Sequence, residues 1–242
     1  MTGVTVGGLE AIQRQVVACR RCPRLVAWRE QSAREKVRRF VHEEYWGRPV
    51  PGFGDPRARL VLVGLAPAAH GGNRTGRMFT GDRSGDWLFR ALFRAGFANQ
   101  PSSERRGDGL ILTDCYVTAT ARCAPPQNIL LQDEIKTCRR FLLQELESLP
   151  RLRVIVGLGG IGFRAVVESL DALKKVTFGK RPAFAHGAAY RSGGITLIAS
   201  YHPSQQNTFT GRLTERMFDR VFLLARRRLD AAGKDLQEGT SL

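Results

Sequence analysis

Residues 60–82 constrain this chain more than any other stretch. Leu60-Val61-Leu62-Val63 is an apolar run of the length of a buried strand, and a helical pattern occupies residues 84–97. Between them lies GLAPAAHGGNRTGRMFTGD, residues 64–82. A strand, a Gly-rich loop and a helix make one β-α unit. In a parallel sheet such a loop leaves the carboxyl end of its strand, where α/β proteins place ligands. Loops this long inside a compact domain are uncommon and are functional or disordered. Pro67, His70, Asn73, Phe79 and Asp82 give this one the composition of a site rather than of a slack connection.

Three further apolar runs follow the same plan, at residues 110–120, 154–156 and 195–201. Helical periodicity marks residues 9–19, 132–149 and 213–229, with another helix after Gly157 and a charged helical segment at 31–45. Residues 46–57, rich in Pro and Gly, read as a structured loop into the first strand. Strands alternating with helices predict an α/β protein, a three-layer α/β/α sandwich with a central four-stranded parallel sheet. No repeat or linker divides the chain, so residues 1–242 are expected to form a single domain with mobile ends at 1–8 and 231–242.

The net charge is +16, from 38 basic and 22 acidic side chains, which suits either a solvated basic surface or a polyanionic partner such as nucleic acid. No apolar run reaches the roughly 18 residues of a membrane span, and the N-terminus has no apolar secretory core. The five cysteines are therefore expected in a reducing cytoplasm, where disulfides are rare. Cys19 and Cys22 form a C-x-x-C pair, while Cys123 and Cys138 are distant from it and from each other. Four such thiols fit zinc and a 4Fe-4S cluster equally, and spacing alone does not separate the two. Cys115, inside an apolar run, reads as a small buried hydrophobe. Gly157 to Gly162 matches G-x-G-x-x-G, but the next strand ends Ala199-Ser200-Tyr201-His202 without the carboxylate that a dinucleotide ribose requires. Close strand–helix packing is the better account of those glycines.

Three segments taken together, GLAPAAHGGNRTGRMFTGD at 64–82, CAPPQN at 123–128 and HPSQQNTFTG at 202–211, resemble the uracil-DNA glycosylase superfamily, and most closely its family 5, the type B iron–sulfur branch. The resemblance covers roughly residues 9–229 and implies a hydrolase that excises uracil and other deaminated bases, such as hypoxanthine, from double-stranded DNA, leaving an abasic site. It also implies that Cys19, Cys22, Cys123 and Cys138 hold a structural 4Fe-4S cluster. The expected enzyme is a monomer associated with the nucleoid through DNA.

The same resemblance distributes the roles. Relatives carry a polar group at the second or third position of the first motif, where this chain has Leu65 and Ala66; family 5 moves the task to the closing aspartate, Asp82. Asp82 is also placed to cap the following helix, which would keep its carboxylate ionised. Asn128 and His202 are the other catalytic candidates, with His202 donating to a carbonyl of the departing base. Phe79 is the expected stacking platform, and Gly64, Ala66, Pro67, Ala68 and Ser204 the remaining substrate contacts. Arg74, Arg77 and Arg212 are expected on flanking phosphates, and Gln205, Gln206 and the segment to Gly211 in the minor groove. Where uracil specialists read the base with an asparagine, this chain has Ala119, which predicts a permissive pocket. A rival reading is a non-catalytic nucleic-acid-binding protein with a four-cysteine metal clamp.

Overall fold

The computed structural model describes residues 7–238 of the chain. The elements run α1 (Gly7–Val17), α2 (Pro23–Glu35), β1 (Phe53–Gly54), β2 (Leu60–Gly64), α3 (Gly72–Thr75), α4 (Arg83–Arg94), β3 (Cys115–Ala119), α5 (Gln132–Glu147), β4 (Val154–Leu158), α6 (Gly159–Ala172), β5 (Ala189–Ser192), β6 (Ile195–Ser200), α7 (Gln205–Phe209) and α8 (Glu215–Glu238). The expectation of mobile ends lies partly outside the described residues; within them, Gly7 opens α1 and α8 continues to Glu238.

The four anticipated strands form the parallel centre, in the order β3-β2-β4-β6. The sheet is six-stranded rather than four-stranded, because β1 and β5 add antiparallel edges. Alternation along the central strands divides the core. Leu60, Leu62, Val117, Val156 and Ile198 face α4 and α8, while Val61, Val63, Tyr116, Ile155 and Leu197 face α1, α5 and α6. That is the expected three-layer arrangement, with every residue of β2, β3, β4 and β6 buried.

Two local expectations are corrected. The strand read at 110–120 begins only at Cys115, because Asp114 adopts a left-handed φ of 57° and turns its carboxylate to Arg59 at 2.5 Å. The helix read at 31–45 instead occupies Pro23–Glu35. Proline at its first position lacks a donor that the helix end could not use, and Lys36 ends the helix at φ 51°. The Gly157–Gly162 run packs α6 close to the sheet: a Cβ on Gly162 would come within 2.6 Å of the Val63 carbonyl oxygen.

Candidate active site

The carboxyl ends of the four parallel strands share one edge of the sheet, and a cleft of about 650 Å3 opens there. Its walls bring together residues far apart in sequence: Ala66, Ala68, Phe79 and Asp82 after β2, Asn128 after β3, and His202, Ser204, Gln205 and Gln206 after β6. The end of β4 and the start of α6 contribute Leu158, Gly159, Gly160 and Ile161, a wall that the motif reading had assigned only to packing.

The loop from residue 64 to 82 is folded, not slack. It contains α3, and Asn73, fully buried, donates to the Arg29 carbonyl at 3.1 Å. Phe79 is buried at a left-handed φ of 52°. Its ring lies so close to Gly64 that a Cβ there would stand 2.6 Å from Phe79 Cζ. Glycine at 64 is therefore what lets the ring reach the strand end. The ring faces His202, with centroids 5.8 Å apart and planes inclined by 30°.

Asp82 caps α4, its Oδ1 accepting from the Gly85 amide at 2.9 Å. Its Oδ2 lies over Gly71, where a Cβ would come within 2.1 Å. The cap was expected to hold the carboxylate in its ordinary ionised range. Burial outweighs it: desolvation raises the Asp82 pKa against the pull of the Gly85 and Ser84 amides. A carboxylate of raised pKa is a better proton acceptor. His202 is pushed the other way, down to about 4 by burial, so its imidazole is neutral at physiological pH. Ser204 caps α7 through the Asn207 amide at 3.4 Å, and Asn207 Nδ2 donates to the His202 carbonyl at 2.8 Å. Asn128 is exposed in a 3-10 turn at φ 59° and makes no side-chain hydrogen bond among the described residues.

Next to the cleft lies a larger groove of about 1040 Å3, sharing Ala68, Asp82, Arg83, Asn128 and Gln205 with it and adding exposed Arg39 and Arg105. The basic residues expected on phosphates divide. Arg212 is exposed over the Tyr201 ring at 4.7 Å. Arg74 and Arg77 are buried and engaged, contrary to expectation. Arg74 pairs with Glu43 and donates to the carbonyls of His70 and Gly81. Arg77 pairs with Asp108 at 2.6 Å and donates to Ser103 and Thr80. Both arginines brace the loop. Arg83, which the sequence did not single out, lines the cleft and lies over the ring of Phe209 at 4.3 Å; Phe209, within the 205–211 segment expected in the minor groove, is 65% exposed.

Cys19, Cys22, Cys123 and Cys138 line one small cavity between the start of α2, the segment after β3 and α5. No three metal-ligating side chains converge on a single-ion position among the described residues. The donor set has the chemistry of an anionic site. Arg29 is 1% exposed and donates to Cys123 Sγ at 3.1 Å, with its Nε unpartnered. Among the described residues its only carboxylate contact is the half-buried Glu30 at 3.4 Å. A buried guanidinium costs several kcal/mol unless an anion compensates it. Burial raises the pKa of the Cys22, Cys123 and Cys138 thiols, so the compensating anion would have to come from a metal group bound through these sulfurs as thiolates.

Comparison with known proteins converges. The family model for the uracil DNA glycosylase superfamily matches residues 51–225. The chain is 50% identical over 218 residues to a type-5 uracil-DNA glycosylase of Mycobacterium leprae, covering 89% of this chain and 93% of that protein. It is 50% identical over 219 residues to one of Thermus thermophilus, covering 90% and 97%. A type-4 uracil-DNA glycosylase of Pyrobaculum aerophilum is 29% identical over 66% of this chain and 74% of its own length.

Proposed function

Because the chain belongs to the uracil-DNA glycosylase superfamily, alongside its type-5 members, we propose that it hydrolyses the N-glycosidic bond of uracil and of other deaminated bases, hypoxanthine among them, in double-stranded DNA. The observation that carries this reading is the convergence of Asp82, Asn128 and His202 on one cleft floored by Phe79.

A glycosidic bond inside a duplex is out of reach, so the nucleotide must swing into the cleft. There the base stacks on Phe79 between the small walls of Ala66, Ala68 and Gly160. As the bond between C1′ and the base nitrogen lengthens, positive charge grows on the sugar and negative charge on the base. The Asp82 carboxylate opposes the first and takes the proton of the attacking water, whose oxygen bonds to C1′. The bonding pair leaves with the base. Neutral His202 donates to the base carbonyl as its charge develops, a contact worth about 3 kcal/mol in comparable oxyanion sites. Asn128, with its amide unspent, holds the water or the base edge. Exposed Phe209, at the end of α7, fills the stack that the flipped nucleotide vacates, as apolar wedges do elsewhere.

The four cysteines are assigned to a structural 4Fe-4S cluster, supported by their shared cavity and by the buried Arg29 directed at Cys123. When bound, the cluster supplies a brace that ties α2 to α5 and to the segment after β3; the bond-breaking chemistry stays with Asp82, Asn128 and His202. Ala119, fully enclosed in β3, does not line the cleft and carries no hydrogen-bonding side chain, so no polar group reads the base edge from that position, which supports a pocket that reads shape. The test is a set of duplexes carrying uracil, hypoxanthine or a normal base at one position. Release of both deaminated bases and of neither normal base is expected. Release of uracil alone under enzyme excess would show that a fixed polar contact, with Asn128 the candidate, reads the base.

A further inference from the structure

A second groove of about 650 Å3 lies on residues that line neither the cleft nor the groove beside it. Its floor is Trp46. The indole donor is already spent on the Pro49 carbonyl at 3.1 Å, so the ring offers only its apolar surface. Two exposed guanidinium groups lie over that ring, Arg48 at 5.7 Å and Arg106 at 4.8 Å, and exposed Arg14 of α1 also lines the groove. None of the three has a carboxylate within ion-pair distance among the described residues, although Glu10 also lines the groove. Nearby Arg20 differs, being bound to Glu30 at 2.5 Å.

The groove is tied to the catalytic loop. The Trp46 and Gly47 amides donate to the carbonyls of Arg74 and Asn73, at 2.8 and 3.1 Å. Arg106 belongs to a short arginine-bearing loop whose neighbour, Arg105, faces the groove beside Asp82. Asp108 fixes that loop, accepting from the Glu104 amide at 2.8 Å while bound to Arg77. Buried Arg77 thus serves cation placement indirectly, by holding Arg105 and Arg106 toward two different grooves. Arg48 and Arg106 beside one apolar ring, with Arg14 lining the same groove, concentrate positive charge that attracts a polyanion. Guanidinium groups pair with phosphate oxygens in two-pronged fashion, and an aromatic floor beside them suits a nucleic-acid strand.

We propose that this groove is a second nucleic-acid site, in which Arg14, Arg48 and Arg106 hold phosphates of a strand lying outside the damaged-base cleft, over Trp46. The inference rests on DNA being the partner but not on base excision. It is tested with a long undamaged duplex, titrated against salt with wild type, the Arg48→Ala/Arg106→Ala double variant and Arg151→Ala, an exposed arginine ahead of β4 that lines none of these grooves. Losing two phosphate contacts should lower the slope of log affinity against log salt by about two and weaken binding about tenfold at moderate salt. Arg151→Ala should leave the slope near wild type, and excision at saturating enzyme should be equal in all three proteins. A wild-type slope in the double variant, or an equal loss in Arg151→Ala, would overturn the proposal. Because the duplex carries no lesion, an absence of excision activity would fail the functional reading while leaving this result intact.

Discussion

Phe79, Gln127 and Asn128 hold left-handed backbone at the cleft, with φ of 52°, 52° and 59°, although none is glycine. Such conformations cost about 1–3 kcal/mol each and persist where surrounding structure over-determines them. Two titratable groups of the cleft are likewise held away from their ordinary states by burial, Asp82 upward and His202 downward to about 4. In the proposed mechanism excision uses ionised Asp82 and neutral His202. Its rate should therefore rise with pH through the raised Asp82 pKa and then level, without an acid step from His202 until pH falls towards 4. The single-turnover pH profile checks this: a His202→Gln variant should keep the position of the Asp82 limb, and a limb that moves with His202 would reassign it. His202→Ala should slow release of uracil more than of 5-fluorouracil, whose anion is more stable and needs the donor less. Rates on the two bases in one duplex context measure it, and equal losses would remove His202 from the leaving-group side. The remote origin of the bracing contacts explains why Arg74 and Arg77 were misread from sequence. Their carboxylate partners, Glu43 and Asp108, each lie 31 positions away, and nothing local announces them.

At the scale of elements, α2 carries the argument for the cysteine site. It begins on Pro23, directly after Cys22, and on its second turn presents Arg29 to Cys123. Arg29→Met removes the buried cation that the thiolates of the proposed cluster would offset. Purified protein of this variant is expected to contain less iron and acid-labile sulfide than wild type and to lose its yellow-brown absorption faster in air. Equal iron content and equal persistence would detach Arg29 from the cysteines. The elements legible in the sequence were those with strong local signals: the apolar runs of β2, β4 and β6, and the periodic faces of α4, α5 and α8. β5 was missed although its turn was written plainly. Ser192 and Ile195 pair across Gly193-Gly194, both at positive φ, the usual two-residue hairpin connection. Residues 189–192 are exposed or half-buried and carry no apolar run to mark a strand. The two-residue β1 lies below the length that any pattern reveals. In the site, the motifs identified which loops meet, because parallel strands deliver their ends to one edge. They did not identify the α6 wall, whose contribution comes through backbone and small side chains.

At the scale of the whole molecule, the proposed mechanism assigns chemistry and affinity to different parts. The cleft holds a single carboxylate with its donors at the sheet edge, whereas most of the charge that gives the chain its +16 lies elsewhere, on exposed arginines such as Arg39, Arg105 and Arg212 around it and Arg48 and Arg106 beyond it. No helix among the described residues is long and apolar enough to cross a membrane. Affinity from phosphate contacts should therefore survive loss of the catalytic carboxylate. Asp82→Asn tests that division directly, since asparagine keeps both the size of the side chain and its ability to cap α4. Single-turnover release of uracil and equilibrium binding are measured on the same uracil-containing duplex. The account predicts excision slowed at least about 100-fold, the scale of a lost general base, with affinity close to wild type. Near wild-type release of uracil by Asp82→Asn would contradict it and place the water-activating group elsewhere in the cleft.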